Sequence, residues 1–215
     1  SRPAVLVSRL IALIIAITIH EFAHSFVAWR MGDPTAKEAG QVTLNPLKHI
    51  NPVGFLMFLI IGFGFLGQAP VNPRRMRNPR RGMTAAVAAG PISNLLVAAL
   101  FAIPWWLGLL PTSPFWGSQL LPSLTEIAYE IIFWNVLLFF FNLIPLYPLD
   151  GWTVVLGLLP TDLAYSWERY QMQSYYLFFF LILLSFVPIP GIPSPLGLLI
   201  AQPTTTVVGF LTRLG

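Results

Sequence analysis

Residues 18–27 read T-I-H-E-F-A-H-S-F-V and sit inside an apolar run that extends over about residues 4–28. A run of that length can cross a hydrocarbon core, which takes about 20 helical residues. Ionisable groups at such depth are costly and are retained where they act. On a helix, positions four apart share a face one turn away, so His20 and His24 point two imidazoles at one spot, with Glu21 beside them. A helix that offers two histidines to a zinc ion and a carboxylate to take a proton from water is built this way. The rest of the chain must complete such a site in an apolar solvent.

Composition confirms that solvent. Of 215 residues, 56% are hydrophobic and 9% charged, with a mean hydropathy of +0.73, whereas a soluble domain carries about one-quarter charged residues. The expected fold class is an all-α membrane protein, a polytopic helix bundle of about five to six membrane segments. A cleavable signal peptide fits the first run poorly, because no small-residue cleavage site follows and the ionisable triplet lies in its second half. One membrane domain is expected over residues 1–215, with its core at about 4–155 and additional membrane segments at about 172–212. The chain has no cysteine, so disulfides and thiolate ligands are excluded and any metal must use His and carboxylate. The formal charge of +4 is modest; its clustered arginines read as a topology signal that also meets lipid headgroups, and no nucleic-acid partner is expected.

Gly32, Asp33 and Pro34 stop the first run, and the alternation in G-Q-V-T-L-N-P suits a short strand at residues 41–44. The second run, residues 52–67, is short and glycine-rich, and Arg74, Arg75, Arg77, Arg80 and Arg81 follow it. A third run, about 83–110, opens with A-G-P-I-S-N; residues 111–122 contain no Lys or Arg; a fourth, about 124–144, leads into N-L-I-P-L-Y-P-L-D-G. Further apolar runs lie at about 172–187 and 196–211. Trp105, Trp106, Tyr175 and Tyr176 read as interfacial aromatics, and His49 as an interfacial loop residue.

A catalytic zinc usually has three protein ligands and a water, so His20 and His24 need a third. Asp150 is the best-placed carboxylate. Asp33 and Glu38 lie in the polar loop just past the same helix, Glu126 and Glu130 near the opposite end of the fourth run, and Asp162 and Glu168 in an interfacial connection. Three apolar runs separate His24 from Asp150, and three crossings would leave Asp150 on the wrong face. Two crossings plus one segment that dips in and returns bring it back, which makes residues 52–67 a re-entrant or β-hairpin element between the first two main helices. Backbone of that kind at membrane depth is tolerated where protein or a water-filled cavity covers it. Arg30, Lys37, Lys48 and the five arginines then share one side, cytoplasmic by the positive-inside rule; Arg2 and Arg9 count mildly against this.

H-E-F-A-H, A-G-P-I-S-N and N-L-I-P-L-Y-P-L-D-G, in that order over roughly residues 10–155, resemble the site-2 protease family of intramembrane zinc metalloproteases, in its compact prokaryotic type without PDZ or CBS domain. The resemblance implies Zn2+ held by His20, His24 and Asp150, Glu21 as catalytic base, and Asn142 as a polar group near the scissile carbonyl. It also implies a substrate that is a transmembrane segment of another protein in the lipid bilayer, cleaved nearer the cytoplasmic face of a prokaryotic cell membrane. Asn94 is a candidate for ordering the cleft or for tying helices together. Similar small members typically have Asp after N-P-L-K-H-I where this chain has Asn51, which carries no charge. A metal-ion or proton transporter using the same buried His, Glu and Asp is the alternative, disfavoured by the lack of repeated halves.

Overall fold

The computed structural model describes residues 2–61, 67, 69–110, 120–187 and 194–213. Among the described residues, three helices are long and apolar enough to cross a membrane: α1 (Pro3–Arg30), α4 (Pro79–Trp106) and α5 (Leu124–Leu143). They pack on one another as the heart of the bundle. Small side chains let them approach, since Ala12, Ala16, Ala98 and Ala102 are buried at their contacts, and close approach is what associates helices when lipid is as apolar as the partner. One knot of packing joins Ala12, Val97 and Ile131 across the three helices. Between α1 and α4 lie the short helices α2 (Thr35–Glu38) and α3 (Pro52–Ile61); after α5 come α6 (Asp150–Leu158), α7 (Thr161–Arg169), the apolar α8 (Gln171–Phe186), and α9 (Gln202–Thr212), which packs on α5 behind a π-helical turn, Gly197–Ala201.

Two ion pairs fix which ends of these helices meet. Arg2 reaches Glu126 at 3.0 Å and Arg9 reaches Glu130 at 3.4 Å, so the start of α1 lies beside the start of α5. The two basic residues that weighed against the charge asymmetry are thereby paired with carboxylates. At the other end the Arg77 amide donates to the Met31 carbonyl at 3.0 Å, so α4 begins where α1 stops. α4 and α5 are therefore the two crossings between His24 and Asp150.

The excursion between α1 and α4 is clasped at its base. The Asp33 carboxylate accepts from the Asn72 amide at 2.6 Å and from the Thr35 amide and hydroxyl, and Arg75 grips Glu38 with two hydrogen bonds at 2.7 and 2.9 Å. Asn51 caps α3 by accepting from the Val53 and Gly54 amides, both at 3.0 Å. α3 has 10 residues, about 15 Å of helix and half of what a crossing requires. By Gly67 the chain is back where it left: a Cβ built there would stand 2.5 Å from the His49 carbonyl oxygen and 3.0 Å from Glu21 Cγ. Residue 67 thus lies beside the start of the excursion, as the parity of crossings requires; residues 62–66 of this stretch, and residue 68 after it, lie outside the described residues.

The strand expected at residues 41–44 is not formed, and no strand occurs among the described residues. A strand needs a partner edge for its ladder, and here the Thr43 carbonyl is taken by the His49 ring at 2.6 Å instead. The interfacial reading of Trp105 is also corrected. It is 1% exposed and packs with Ala102, Ile132, Val136 and Val208, whereas Trp106 is exposed, with its indole N–H on the Leu211 carbonyl at 2.9 Å.

Candidate metal centre and cleft

α1 carries His20 and His24 one turn apart on a buried face, and the N-terminus of α6 delivers Asp150 to the same point. Asp150 Oδ2 lies 3.2 Å from His20 Nε2 and 3.3 Å from His24 Nε2, and the two Nε2 atoms are 2.9 Å apart. Among the described residues these three are the one grouping that can hold a metal ion. Asp150 arrives there because Gly151 packs directly on the Leu143 and Ile144 carbonyls at the end of α5, leaving no space for a Cβ. The Tyr147 amide, donating to the Ser174 hydroxyl at 2.9 Å, ties down the intervening turn.

The far side of each imidazole fixes its protonation. His24 Nδ1 lies 2.8 Å from the Ala86 carbonyl, which only accepts, so Nδ1 carries the hydrogen and Nε2 keeps its lone pair. His20 Nδ1 lies 2.7 Å from Asn94 Oδ1. The orientation of Asn94 is set in turn, because its amide nitrogen donates to the Ala16 carbonyl at 3.1 Å and to Asn135 Oδ1 at 2.8 Å, while the Asn135 amide donates to the Ile131 carbonyl at 2.8 Å. A buried Asn–Asn relay from α5 through α4 thus holds His20 with Nε2 unprotonated, as ligand imidazoles are held by outer partners.

Three acceptor atoms therefore converge with no hydrogen left to share, and Asp150 Oδ2 is buried without a hydrogen-bond donor. Such a set is stable around a cation, and two histidines with one carboxylate suit zinc. The wall behind them is Gly90, where a Cβ would collide with the His24 ring and stand 2.8 Å from His20 Cε1.

The centre opens on a cleft of about 1170 Å3 lined by Glu21, Asn142, His49, Gly67, Val71 and Tyr175 among others. Glu21 is 7% exposed, and its Oε2 has no hydrogen-bond partner. Asn142 faces the cleft from the last turn of α5, with one amide hydrogen given back to the Leu138 carbonyl at 3.0 Å.

A Bacillus subtilis protein named "Putative zinc metalloprotease YwhC" is 38% identical to this chain over 177 residues, covering 80% of it and 78% of the relative. The chain belongs to this zinc metalloprotease family. Proteins from Mycolicibacterium smegmatis and Mycobacterium tuberculosis, both named Rip2 under the same metalloprotease description, are 33% and 37% identical over 65% and 40% of the chain, and over 52% and 35% of their own length. No family model matches the chain, and no solved structure matches it significantly. The chain is thus a membrane metalloprotease with a zinc cofactor, and the transporter alternative is not favoured.

All six residues singled out in the sequence of this metalloprotease meet in one region: His20, His24 and Asp150 at the centre, Glu21 and Asn142 in the cleft, Asn94 behind His20. Asn135 was missed, although a lone amide in the middle of an apolar run is itself a signal. His49, read as an interfacial loop residue, lies in its loop and outside the metal grouping, but it is 5% exposed and lines the cleft.

Proposed function

We propose that this metalloprotease is of the site-2 type, an intramembrane endopeptidase that cuts a transmembrane segment of another protein. The observation that carries the reading is the position of the three converging ligand atoms and Glu21 between helices of membrane length, in a cleft walled on one side by a segment that enters and returns. Water can reach a centre so placed, and a substrate helix must unwind locally to present its carbonyl there.

His20, His24 and Asp150 would hold the zinc, which when bound would supply Lewis-acid polarisation and lower the pKa of water toward about 7. Glu21 accepts the proton as water adds to the peptide carbonyl and returns it to the departing amine. The free amide hydrogen of Asn142 donates to the oxygen on which negative charge develops, a contact of a kind worth about 3 kcal/mol elsewhere. Asn94 acts through His20 by keeping Nε2 free of hydrogen. Ala69, Pro70 and Val71 also line the cleft, and no backbone hydrogen bond engages them among the described residues, so they offer main-chain groups to an unwound substrate by strand addition. With Arg30, Lys37, Lys48 and the arginines at 74–81 gathered at this end of α1 and α4, the cleft faces the cytoplasm by the positive-inside rule.

Purified wild type and Glu21→Gln, each loaded with zinc, are compared on a helix-destabilised membrane peptide. Wild type cleaves it, and Glu21→Gln keeps the metal and loses cleavage by a factor of 100 or more, the scale of a lost general base. Equal cleavage by both removes Glu21 as base, and zinc uptake into vesicles carrying the protein would establish transport instead.

A further inference from the structure

The cleft holds more acceptors than the metal chemistry uses. Among the described residues, the buried side-chain atoms without a hydrogen-bond partner include four on residues that line it: Glu21 Oε2, Asp150 Oδ2, Gln41 Oε1 and His49 Nδ1. The first two serve the metal and the proton transfer. Gln41 and His49 belong to the loop before α3, which supplies no ligand.

The chemistry of His49 is fixed by its other nitrogen. Nε2 lies 2.6 Å from the Thr43 carbonyl, which only accepts, so Nε2 carries the hydrogen and Nδ1 of the neutral ring is left with a lone pair. That lone pair is buried and unpaired, on a residue that lines the cleft. Leaving such an acceptor unmet is costly, and the cost is tolerated where something bound supplies the donor. The location is next to the reaction: the Gly67 position touches both the His49 carbonyl oxygen and Glu21 Cγ, so His49 and the base are separated by little more than one residue's width. A membrane segment unwound over Glu21 has lost the helical acceptors of its own N–H groups, and groups of the cleft must replace them. It brings donors to the place where acceptors wait.

We propose that His49 is a substrate-binding residue whose Nδ1 accepts a backbone N–H of the unwound segment, with the Gln41 side-chain carbonyl as a second acceptor. This rests on the reading of the protein as an intramembrane endopeptidase. It assigns the loop at 41–49 a direct role in recognition through side chains, separate from the main-chain pairing ascribed to residues 69–71.

Two substitutions separate binding from loop support. His49→Gln keeps an N–H where Nε2 stood, and so the hold on Thr43, but has no acceptor at the Nδ1 position; His49→Asn keeps an acceptor there and loses the hold. The test measures binding of a labelled oligoleucine membrane peptide, interrupted by a central Asn-Pro, to the zinc-loaded Glu21→Gln protein in detergent micelles. Adding His49→Gln weakens binding about three- to tenfold, one hydrogen bond's worth, at unchanged zinc affinity and thermal midpoint, and His49→Asn binds more tightly than His49→Gln. Wild-type affinity in His49→Gln, or equal losses in both variants together with a lowered midpoint, overturns the proposal. If the parent protein binds the peptide and wild type cleaves it while His49→Gln is unchanged, only this inference falls; if wild type neither binds nor cleaves it, the endopeptidase reading falls with it.

Discussion

Replacing Gly90 by alanine sets two effects of opposite sign against each other. In a helix interior the change normally stabilises by about 0.5–1 kcal/mol, because glycine loses more backbone freedom on folding. At this position the new methyl would stand 2.8 Å from His20 Cε1 and closer to the His24 ring. Ordinary carbon contacts lie at about 3.5–4.0 Å, so the His20 ring must retreat by about 0.7 Å or more, several times the tolerance of about 0.2 Å in metal–ligand distances. Retreat is opposed from behind, where the two Nδ1 atoms are anchored at 2.7 and 2.8 Å. Zinc affinity should fall at least 10- to 100-fold, the range seen when ligand orientation is disturbed, or about 1.4–2.7 kcal/mol. Displacing the rings strains those two hydrogen bonds with or without metal, so the metal-free protein should gain none of the stability that the change normally brings. Titration with a zinc buffer and a competing chelator, alongside thermal unfolding of the metal-free protein, reads both quantities. Gly90→Ala binding zinc as tightly as wild type would refute the assignment of the two imidazoles to the metal.

Asn94→Leu removes the acceptor that holds His20 Nδ1–H and is expected to lower zinc affinity about 10- to 100-fold, measured by the same competition; unchanged affinity would mean that the Asn94–Asn135 relay serves packing alone. For Asp33, burial opposes ionisation, but the Thr35 hydroxyl, the Asn72 and Thr35 amides and the Arg75 charge outweigh it and hold the carboxyl below its ordinary value. A depressed folded-state pKa contributes stability that is complete above the unfolded value, about 4, and is lost as pH falls through the folded one. Wild type should therefore lose thermal stability below about pH 4, and Asp33→Asn should be less stable at neutral pH with a shallower acid dependence; parallel curves would show that the clasp is not ionic.

How far the sequence reached depends on which groups had no alternative. His20, Glu21 and His24 were legible because ionisable groups in an apolar run have few other reasons to be there, and Asp150 because other carboxylates were placed elsewhere by their runs. The re-entrant reading of residues 52–67 followed from parity, a global constraint that needed no knowledge of contacts, together with the segment's shortness, its glycines and its basic flanks. The strand at residues 41–44 failed because alternation predicts a pleated face but not a partner, and the His49 ring had taken the carbonyl that pairing would use. The burial of His49 in the cleft was not legible for a related reason: nothing local says that a polar loop folds back under the end of a helix. Trp105 was misplaced because lipid and protein core are equally apolar, so composition cannot tell a face turned to neighbours from one turned to the bilayer.

The ligands and their supports come from α1, α4, α5 and α6, whereas the loop at 41–49 and the returning segment at 67–71 border the cleft without touching the ion's three donors. On the proposed reading, catalyst and selector are written in different stretches of the chain and joined at a seam beside Glu21. Inheritance could then act on them separately: drift in the loop would retarget the protease to a new substrate while the reaction stayed as it was.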